Sequence, residues 1–468
     1  MEKMKRGLLV FLIFLLLSIC VSAAVAEEMV IYTSGDYEYV LLEDGTAEIV
    51  DYTGSETELT VPGMLDGHPV SSVGDRAFAR NYTITAITLP EGITYIGKNA
   101  FETCGSLCSI TFPDSVTFID AYAFTWCYSL TEIRLPGSLT HIGDFAFHYC
   151  ANATEIILPD GLVSIGNGAF YHCELLKNID LPDSVTEIGD EAFAGCTVLE
   201  NIVIPENVER IGNEAFRSCR NLRSVNVPAS VIEFGENVFI GCDKLGDIRI
   251  APEHPFLMIV DGVLFDQAKN ELLFYPRKLA SAEYHVPEGT LVIGNGAFFE
   301  CYALTDIFLP DSVTMIGEYA FEYCAGLKNV YLQEGMIRIG MHAFSGCYSL
   351  ENIVLPDSVV HIGSGAFFDC PKLQKITVPE NVTKIESYTF GSCRNLTEVY
   401  LPEGLREIGE YAFYNCQQLS NVYIPSGVIK MDENVFAYHP EDMIITVEAG
   451  SYAEEWCRQY GINYLYAD

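Results

Sequence analysis

The sequence predicts an α/β solenoid, in which short coils stack along one axis, because near-copies of one segment recur at a fixed step of 23 residues. The clearest copy runs from Pro182 to Ile204 and reads PDSVTEIGDEAFAGCTVLENIVI. In most copies a Phe follows the opening proline after eleven residues, and a Cys follows that Phe after three. The opening prolines are Pro90, Pro113, Pro136, Pro159, Pro182, Pro205, Pro228, Pro287, Pro310, Pro356, Pro379, Pro402 and Pro425, and Gln333 replaces one of them. We therefore expect coils that pack only on their neighbours.

Each unit is predicted to contain a strand, a turn and a short helical segment. The run from Leu199 to Ile204 alternates apolar and polar residues, and the proline that follows ends the strand because it lacks the N–H that a ladder needs. The glycine column represented by Gly189 is expected to allow a turn with positive φ. The segment from Asp190 to Cys196 has helical spacing over about two turns, and burial of its Phe and Cys is expected to hold it in place.

The first 26 residues have the pattern of a secretory signal peptide. Three basic residues between positions 3 and 6 precede an apolar run from Leu8 to Val21, and residues 24–26 are small enough for cleavage. A membrane anchor and a lipoprotein attached at Cys20 are the alternatives. The run is short for a membrane span, and no later stretch reaches about 18 apolar residues. We predict a secreted or cell-surface protein with no integral span after signal removal.

Segments that depart from the repeat are predicted to cap or interrupt the array. The β-rich runs Tyr37 to Leu42 and Thr46 to Tyr52 join at Asp44-Gly45, a hairpin signal. Between Phe239 and Phe298 the step widens to 59 residues, and the strand-like runs Met258 to Phe265 and Glu271 to Tyr275 predict a hairpin insertion. The predicted segments are a signal peptide at 1–26, an N-terminal β-hairpin cap at 27–61, a first repeat block at 62–250, an enlarged repeat with a hairpin insertion at 251–286, a second repeat block at 287–440 and a C-terminal cap at 441–468. In that last cap we expect a strand, a short helix from Ser451 to Gly461, and a final strand.

The acidic composition restricts the partners. The formal charge is −38, and removal of residues 1–26 leaves 23 basic and 63 acidic residues, a formal charge of −40. Such a charge repels nucleic acid and anionic lipid, and it favours cationic partners or divalent ions. We therefore predict no nucleic-acid partner.

The cysteines are predicted to be structural. Of the 16 Cys, 13 lie in one column of the repeat, where equivalent side chains point the same way and would strain any disulfide between coils. We expect them to act as small buried apolar residues. Zinc binding is disfavoured because no CxxC pair occurs. Cys108 and Cys457 lie outside the column and are the better candidates for reactive thiols.

A column of outward-facing residues just before the end of each strand is the candidate binding surface. Its second half is the more aromatic, and large exposed aromatic faces suit protein or sugar recognition. The alternative is scattered residues of high β-propensity. The candidate binding residues are Phe308, Tyr331, Tyr400 and Tyr423.

The residue after each proline is often acidic, as at Asp183 and Asp311. A bridging Ca²⁺ would relieve repulsion between stacked carboxylates, but a solvated acidic stripe is the alternative we favour. No HExxH, phosphate loop or nucleophile elbow occurs in context, and Gly363-Ser364-Gly365 falls in the repeat turn. Chance pairing of acidic columns could resemble a glycosidase pair. We predict no catalytic residue, no metal site and no cofactor.

The repeat resembles that of the BspA-type leucine-rich repeat family, whose units read LP-x-S-V/L-x-x-I-G-x-x-A-F-x-x-C-x-x-L-x-x-I. The resemblance covers about residues 55 to 450. It implies a right-handed leucine-rich repeat superhelix with a parallel β-sheet on the concave face and short helices or turns on the convex face. It also implies a secreted or surface protein, with several family members thought to act in adhesion.

These observations predict a secreted, non-enzymatic protein that binds extracellular proteins of a matrix or host surface. Two alternatives stay open. One is a carbohydrate-binding module that uses the aromatic strand positions of the second block to bind glycans. The other is a passive cell-wall component with no ligand.

Overall fold

The computed structural model describes residues 30–268 and 270–467, and the predicted signal peptide at 1–26 lies outside them. Parallel strands from successive units pair in register, coil upon coil, at the 23-residue step. The prediction of a solenoid of stacked parallel strands is confirmed. Each coil contributes two strands, so two ladders run along the array.

The long-strand ladder contains the predicted strand of each unit. Ile133 pairs with Ile156 of the next coil and points into the core, while Glu132 and Arg134 on either side of it are exposed. The ladder is divided into several short sheets, and Asn178 joins it through an isolated bridge to Asn201. Its strands are Glu58–Thr60, Ala86–Thr88, Ser109–Thr111, Glu132–Arg134, Glu155–Ile157, Asn201–Val203, Ser224–Val227, Asp247–Ile250, Glu283–His285, Asp306–Phe308, Asn329–Tyr331, Asn352–Ile353, Lys375–Thr377, Glu398–Tyr400, Asn421–Ile424, Ile444–Val447 and Tyr464–Tyr466.

The short-strand ladder lies just before the glycine column and begins in the N-terminal cap. The cap contributes three antiparallel strands, and the third pairs in parallel with the first coil. Met64–Leu65 adds a short antiparallel strand beside His68–Val73. The strands of this ladder in order are Tyr32–Ser34, Tyr37–Leu41, Ala47–Tyr52, His68–Val73, Tyr95–Ile96, Phe118–Ile119, His141–Ile142, Ser164–Ile165, Glu187–Ile188, Arg210–Ile211, Glu233–Phe234, Leu257–Val260, Val263–Asp266, Glu271–Phe274, Val292–Ile293, Met315–Ile316, Arg338–Ile339, His361–Ile362, Lys384–Ile385, Glu407–Ile408 and Lys430–Met431.

The segments predicted as two helical turns are not helical. The N–H groups of Glu191, Phe193 and Gly195 donate to carbonyl oxygens of the next coil at 2.7–2.8 Å, so an i→i−4 pattern does not form. Glu191 and Gly195 also have left-handed φ values of 54° and 76°, which an α-helix excludes. Within the described residues, helix is confined to Tyr452–Tyr460 and the 3₁₀ turn Arg277–Leu279. Neither of these is long or apolar enough to cross a membrane.

The glycine column allows close approach of neighbouring coils, which corrects the expectation of positive φ. Gly189 is absent from the residues with left-handed φ. A Cβ at Gly189 would lie 2.6 Å from the backbone nitrogen of Asn167, and a Cβ at Gly166 would lie 2.7 Å from the backbone carbon of Gly143. The glycine therefore lets one coil turn directly over the backbone of the previous one.

The insertion forms three antiparallel strands rather than the two predicted. Asp261 and Gly262, with φ of 51° and 83°, turn the chain in the middle of the run that we predicted as one strand. Positive φ at both turn positions is the requirement of a type I′ hairpin. The third strand, Glu271–Phe274, then pairs in parallel with Val292–Ile293 and restarts the short-strand ladder.

The hydrophobic core divides into two clusters at this insertion. Leu264 packs in the cluster of the first block, whereas Val263 and Phe265 on the opposite face of the same strand pack in the cluster of the second. Arg277 bridges the two blocks, because its Nη2 lies 2.6 Å from Asp243 Oδ1 and 2.9 Å from Glu300 Oε2. The insertion therefore packs against the cores of both blocks, and the ion pairs of Arg277 link the two blocks.

The Phe column forms an aromatic stack inside each block, from Phe78 to Phe239 and from Phe298 to Phe436, and the insertion separates the two. Phe193 and Phe216 are fully buried, with ring centroids 5.6 Å apart and planes at 2°. Tyr52 of the N-terminal cap packs on the first ring of the stack, Phe78, and Trp456 of the C-terminal helix packs on the last. The caps thus provide the aromatic rings that cover Phe78 at one end of the solenoid and Phe436 at the other.

The Cys column is buried beside the Phe stack, and its thiols do more than fill space. Each thiol donates to the carbonyl oxygen of the residue at the Phe position one coil earlier, with Sγ–O distances of 3.0–3.9 Å. The described cysteines are all free thiols. The column is therefore a ladder of S–H donors that links successive coils.

The C-terminal cap ends the array with the predicted strand, helix and strand. Ser451 Oγ accepts from the backbone N–H of Glu454 at 3.2 Å, and Glu454 Oε2 accepts from the N–H of Gly450 at 2.6 Å. Gly461 closes the helix with a left-handed φ of 70°. The strand Ile444–Val447 continues the long-strand ladder and pairs with the final strand.

Candidate binding surface

The outward column of the long-strand ladder carries a stack of three rings in the second block, of which His285 and Tyr331 are exposed and Phe308 is half-buried. The ring centroids of His285 and Phe308 lie 4.2 Å apart, and those of Phe308 and Tyr331 lie 4.4 Å apart, both at 5° between planes. Parallel pairing of the three strands brings these residues directly opposite one another. In the next coil Val354 is 80% exposed and extends the apolar surface. We call Phe308, Tyr331 and Val354 the apolar row.

A row of polar side chains two residues earlier in each coil runs parallel to the apolar row. Asn329 Nδ2 donates to Asp306 Oδ1 at 2.6 Å, and Asn352 Nδ2 donates to Asn329 Oδ1 at 3.0 Å. Thr305 Oγ1 donates to the other oxygen of Asp306 at 2.6 Å. Because these bonds stabilise its ionised form, the pKa of the Asp306 carboxyl is lowered. These side chains therefore form one hydrogen-bonded network along the surface.

The four candidate residues do not form one continuous patch. Phe308 and Tyr331 are in ring contact, but Val354 and Thr377 separate them from Tyr400 and Tyr423 along the column. Lys375 Nζ lies 4.7 Å from the ring centroid of Tyr400, whose hydroxyl donates to Glu398 at 3.0 Å. The Tyr423 hydroxyl donates to Glu448 Oε1 at 3.3 Å. Their role in binding stays a prediction.

Sequence reasoning missed His285 as a member of this surface. It lies one period before Phe308, and its exposed ring begins the stack. Because His285 lies in the enlarged repeat, the sequence pattern alone starts the second half of the binding column at Phe308. Extending the 23-residue step back across the insertion would have found it.

Six exposed carboxylates form an uninterrupted row beside the apolar row, each at the position after the proline or its replacement. Within the described residues, no basic side chain forms an ion pair with any of them. The first block lacks such a run, because Gly137 and Ala229 occupy two of the equivalent positions. We call these residues the acidic row: Glu288, Asp311, Glu334, Asp357, Glu380 and Glu403.

The two thiols singled out in the sequence have different environments. Cys108 is exposed, as a reactive thiol must be, and its reactivity stays a prediction. Cys457 is 1% exposed and packs in the core of the C-terminal cap, so the prediction for it is wrong. Burial raises the pKa of the Cys457 thiol to about 11, which further lowers its reactivity. Cys457 lies on the buried face of the helix Tyr452–Tyr460.

Within residues 30–268 and 270–467, no group of three or more His, Cys, Asp or Glu side chains is arranged to hold a metal ion. In the turn segments, His148 shares a hydrogen bond of 2.8 Å with Thr125 Oγ1. Burial and the neighbouring His172 lower the pKa of His148 to about 4. It packs against Tyr149 and Tyr171, so its surroundings are those of a neutral packed ring.

Comparisons with known proteins place the chain in a family. The family model described as the BspA type leucine rich repeat region matches residues 65–156, 117–246, 271–340 and 314–441, with six copies. A leucine rich cell surface protein from Faecalibacterium prausnitzii is 31% identical with a TM-score of 0.67, covering 80% of this chain and 95% of its own. A leucine-rich repeat protein from Bacteroides ovatus is 28% identical with a TM-score of 0.51, covering 89% and 99%.

A search of curated protein sequences gives no significant match. The family model nevertheless covers well over half of the residues, and its matched segments coincide with the stacked coils and resume at the third strand of the insertion. The chain belongs to the BspA-type leucine-rich repeat family.

Proposed function

We propose that the protein is a non-catalytic scaffold that binds extracellular proteins through the long-strand ladder of its second block. In this proposal the ladder lies on the concave side of a right-handed superhelix. The observation that carries it is the apolar row, in which half-buried Phe308 and exposed Tyr331 and Val354 lie side by side along a hydrogen-bonded ladder. Exposed apolar groups beside fixed polar groups are typical of protein interfaces.

The polar surroundings of the apolar row support a specific interface. The side chains of Asp306, Asn329 and Asn352 are already hydrogen-bonded to one another, so little side-chain entropy is lost when a partner docks. Asn352, which donates to Asn329, lies at the end of this chain of bonds.

The ring arrangement favours protein over glycan as the ligand. Sugar rings stack on a free aromatic face, but both faces of Phe308 are covered, one by His285 and the other by Tyr331. One face of Tyr400 is covered by Lys375. Phe308 therefore offers only its edge, beside aliphatic Val354, and such a surface suits apolar protein side chains.

The localisation at the cell surface is part of the proposal. It is supported by the predicted signal peptide and by the similarity to the cell surface protein from Faecalibacterium prausnitzii. Fractionation of the native cells with an antibody to the second block tests it. Recovery in the cytoplasmic fraction alone would contradict the proposal.

Retention on immobilised matrix and serum proteins tests the binding function. We expect at least one member of the panel to retain the protein in a salt-sensitive way. The double variant Phe308→Ser/Tyr331→Ser should lose this retention, whereas Val203→Ser on the equivalent column of the first block should keep it. Failure of retention across a broad panel would count against the proposal and favour a passive wall component.

A glycan array distinguishes the carbohydrate alternative. We expect no glycan to bind in a manner that depends on Tyr400. Binding that is lost in Tyr400→Ala would overturn the preference for protein partners and support the carbohydrate-binding function.

A further inference from the structure

Two rows with different chemistry run side by side along the second block. The apolar row contains Phe308, Tyr331 and Val354, and the acidic row follows three residues later in each coil. Because consecutive Cα atoms lie about 3.8 Å apart, equivalent members of the two rows are at most about 11 Å apart. One partner element of ordinary helical width, about 10–12 Å, can therefore contact both rows.

In the part of the chain that the structure describes, no basic side chain pairs with the acidic row, so its carboxylates are open to positive charge from a partner. Its six carboxylates are spaced by one coil, about 4.8 Å, and extend over roughly 24 Å. Two lysines of this region pair elsewhere, Lys372 with Glu351 at 3.3 Å and Lys375 with Glu398 at 3.2 Å, and Arg406 donates to the backbone carbonyl of Glu403 at 3.4 Å. The overall charge of −38 adds a long-range attraction for cations. The complementary partner is basic.

The spacing of the coils indicates the conformation of that partner. Along an α-helix, side chains on one face recur every turn, about 5.4 Å, which is close to the coil step of about 4.8 Å. Along an extended strand, side chains on one face recur about every 6.6–6.8 Å. Over the three coils of the apolar row the mismatch is about 1.2 Å for a helix and about 4 Å for a strand. The match favours a helix that lies along the solenoid axis.

From these observations we propose that the second block binds a basic amphipathic helix of a partner protein. Its apolar stripe packs on Phe308, Tyr331 and Val354, and its Lys or Arg stripe faces the acidic row between Asp311 and Asp357. This inference rests on the proposed function and specifies the class of partner. It accounts for why the uninterrupted acidic row and the exposed apolar row occur on the same block.

Synthetic peptides provide the test. The probe is an 18-residue, fluorescently labelled peptide with a Leu stripe flanked by Lys, titrated with the full chain and followed by anisotropy. One control peptide has the same composition in scrambled order, and another replaces every Lys with Glu. We expect the amphipathic basic peptide to bind at least tenfold more tightly than the scrambled one, more weakly as salt rises, and the acidic peptide not to bind.

Two pairs of surface substitutions locate the site. Tyr331→Ser/Val354→Ser and Glu334→Gln/Asp357→Asn should each weaken binding of the basic peptide at least tenfold. The matched pair in the first block, Val203→Ser/Glu206→Gln, should change it less than twofold. All these positions are exposed, and unchanged thermal unfolding would confirm that the variants fold.

Equal binding of the amphipathic and scrambled peptides would overturn the inference, as would an equal loss in the first-block pair. If the peptides fail but the second-block variants still lose retention on the matrix and serum panel, the partner class is wrong and the proposed function stands. If both the peptides and the panel fail, both proposals are wrong.

Discussion

The Sγ atom of Cys196 lies 3.3 Å from the carbonyl oxygen of Phe170, one coil earlier, and donates a hydrogen bond to it. The same carbonyl oxygen accepts the backbone N–H of Cys173 in its own coil at 3.1 Å. One buried oxygen thus receives a donor from each of two coils. The S–H group satisfies a polar atom in a part of the core that water does not reach.

Replacing this thiol should destabilise the protein even though the volume change is small. We expect Cys196→Ala to lower the free energy of unfolding by about 1–2 kcal/mol, because it removes both a hydrogen bond and buried volume. Cys196→Ser keeps a donor at the same position. Hydrogen exchange at the amides of the two coils measures the local effect, and unchanged protection in Cys196→Ala would show that the S–H bond contributes nothing.

Thiol labelling should distinguish Cys108 from the cysteine column. Burial raises the pKa of thiols such as Cys196 and Cys324 to about 12, so their thiolate fraction at pH 8 is very small. We expect an alkylating reagent to modify Cys108 rapidly in the native protein and the column only after unfolding. Peptide mass mapping identifies the modified residues. Rapid native labelling of the column would contradict the buried ladder.

The aromatic stack should be the most sensitive part of the core. Phe193 is fully buried between neighbouring Phe rings, and we expect Phe193→Ala to lower the free energy of unfolding by about 3–5 kcal/mol. The exposed Val203 is the control, and Val203→Ala should cost less than about 0.5 kcal/mol. Denaturant titration measures both variants. Similar values for the two would be incompatible with an inward-facing Phe column.

Arg277 should couple the unfolding of the two blocks. Its side chain is 13% exposed and holds Asp243 of one block and Glu300 of the other, so its removal leaves two carboxylates without their cation. We expect Arg277→Ala to cost about 2–3 kcal/mol and to separate one calorimetric transition into two. The exposed pair of Arg249 and Asp247 is the control, since Arg249→Ala should cost less than about 1 kcal/mol. A single unshifted transition in Arg277→Ala would rule out this coupling.

Glu322 should make the second block less stable as the pH rises. Burial and the nearby Glu300 raise the pKa of Glu322 from its ordinary value of 4.5 to about 7. Between these two pH values the folded state holds the Glu322 proton more tightly than the unfolded state. The contribution of Glu322 to the stability of the fold is therefore fully present below about pH 4.5 and is lost as the pH rises towards 7. Glu322→Gln should remove this part of the pH dependence. Melting temperatures of both proteins across this range test it, and parallel curves would contradict the shift.

The parallel ladders could be predicted from the sequence because each coil repeats the same inward and outward pattern at a constant step. The turn segments could not, since the N–H of Glu191 bonds to a carbonyl 22 residues away, in Asn213, and no local pattern signals such a bond. Helical spacing of Phe193 and Cys196 arises equally from a tight, non-helical turn. The Asp261-Gly262 turn, by contrast, has the same signal as Asp44-Gly45 and was readable.

The sequence predicts which column of residues forms the candidate binding surface, but it does not predict the contacts between their side chains. The period places Phe308 and Tyr331 on neighbouring strands, yet only coordinates show that their rings stack and that Lys375 lies over Tyr400. These details depend on side-chain rotamers, which the repeat does not encode. They decide whether ring faces or ring edges meet a ligand.

Successive coils are equivalent rungs of the solenoid, and this equivalence determines how the chain responds to insertion and deletion. Loss of one full period, such as residues 182–204, would join Leu181 to Pro205 and leave every remaining rung facing a neighbour of the same design. Loss of a single residue inside a rung would instead turn the following inward positions towards solvent. Insertions and deletions can therefore change the length of this molecule only by whole rungs, while the rings of Tyr52 and Trp456 cover its two ends.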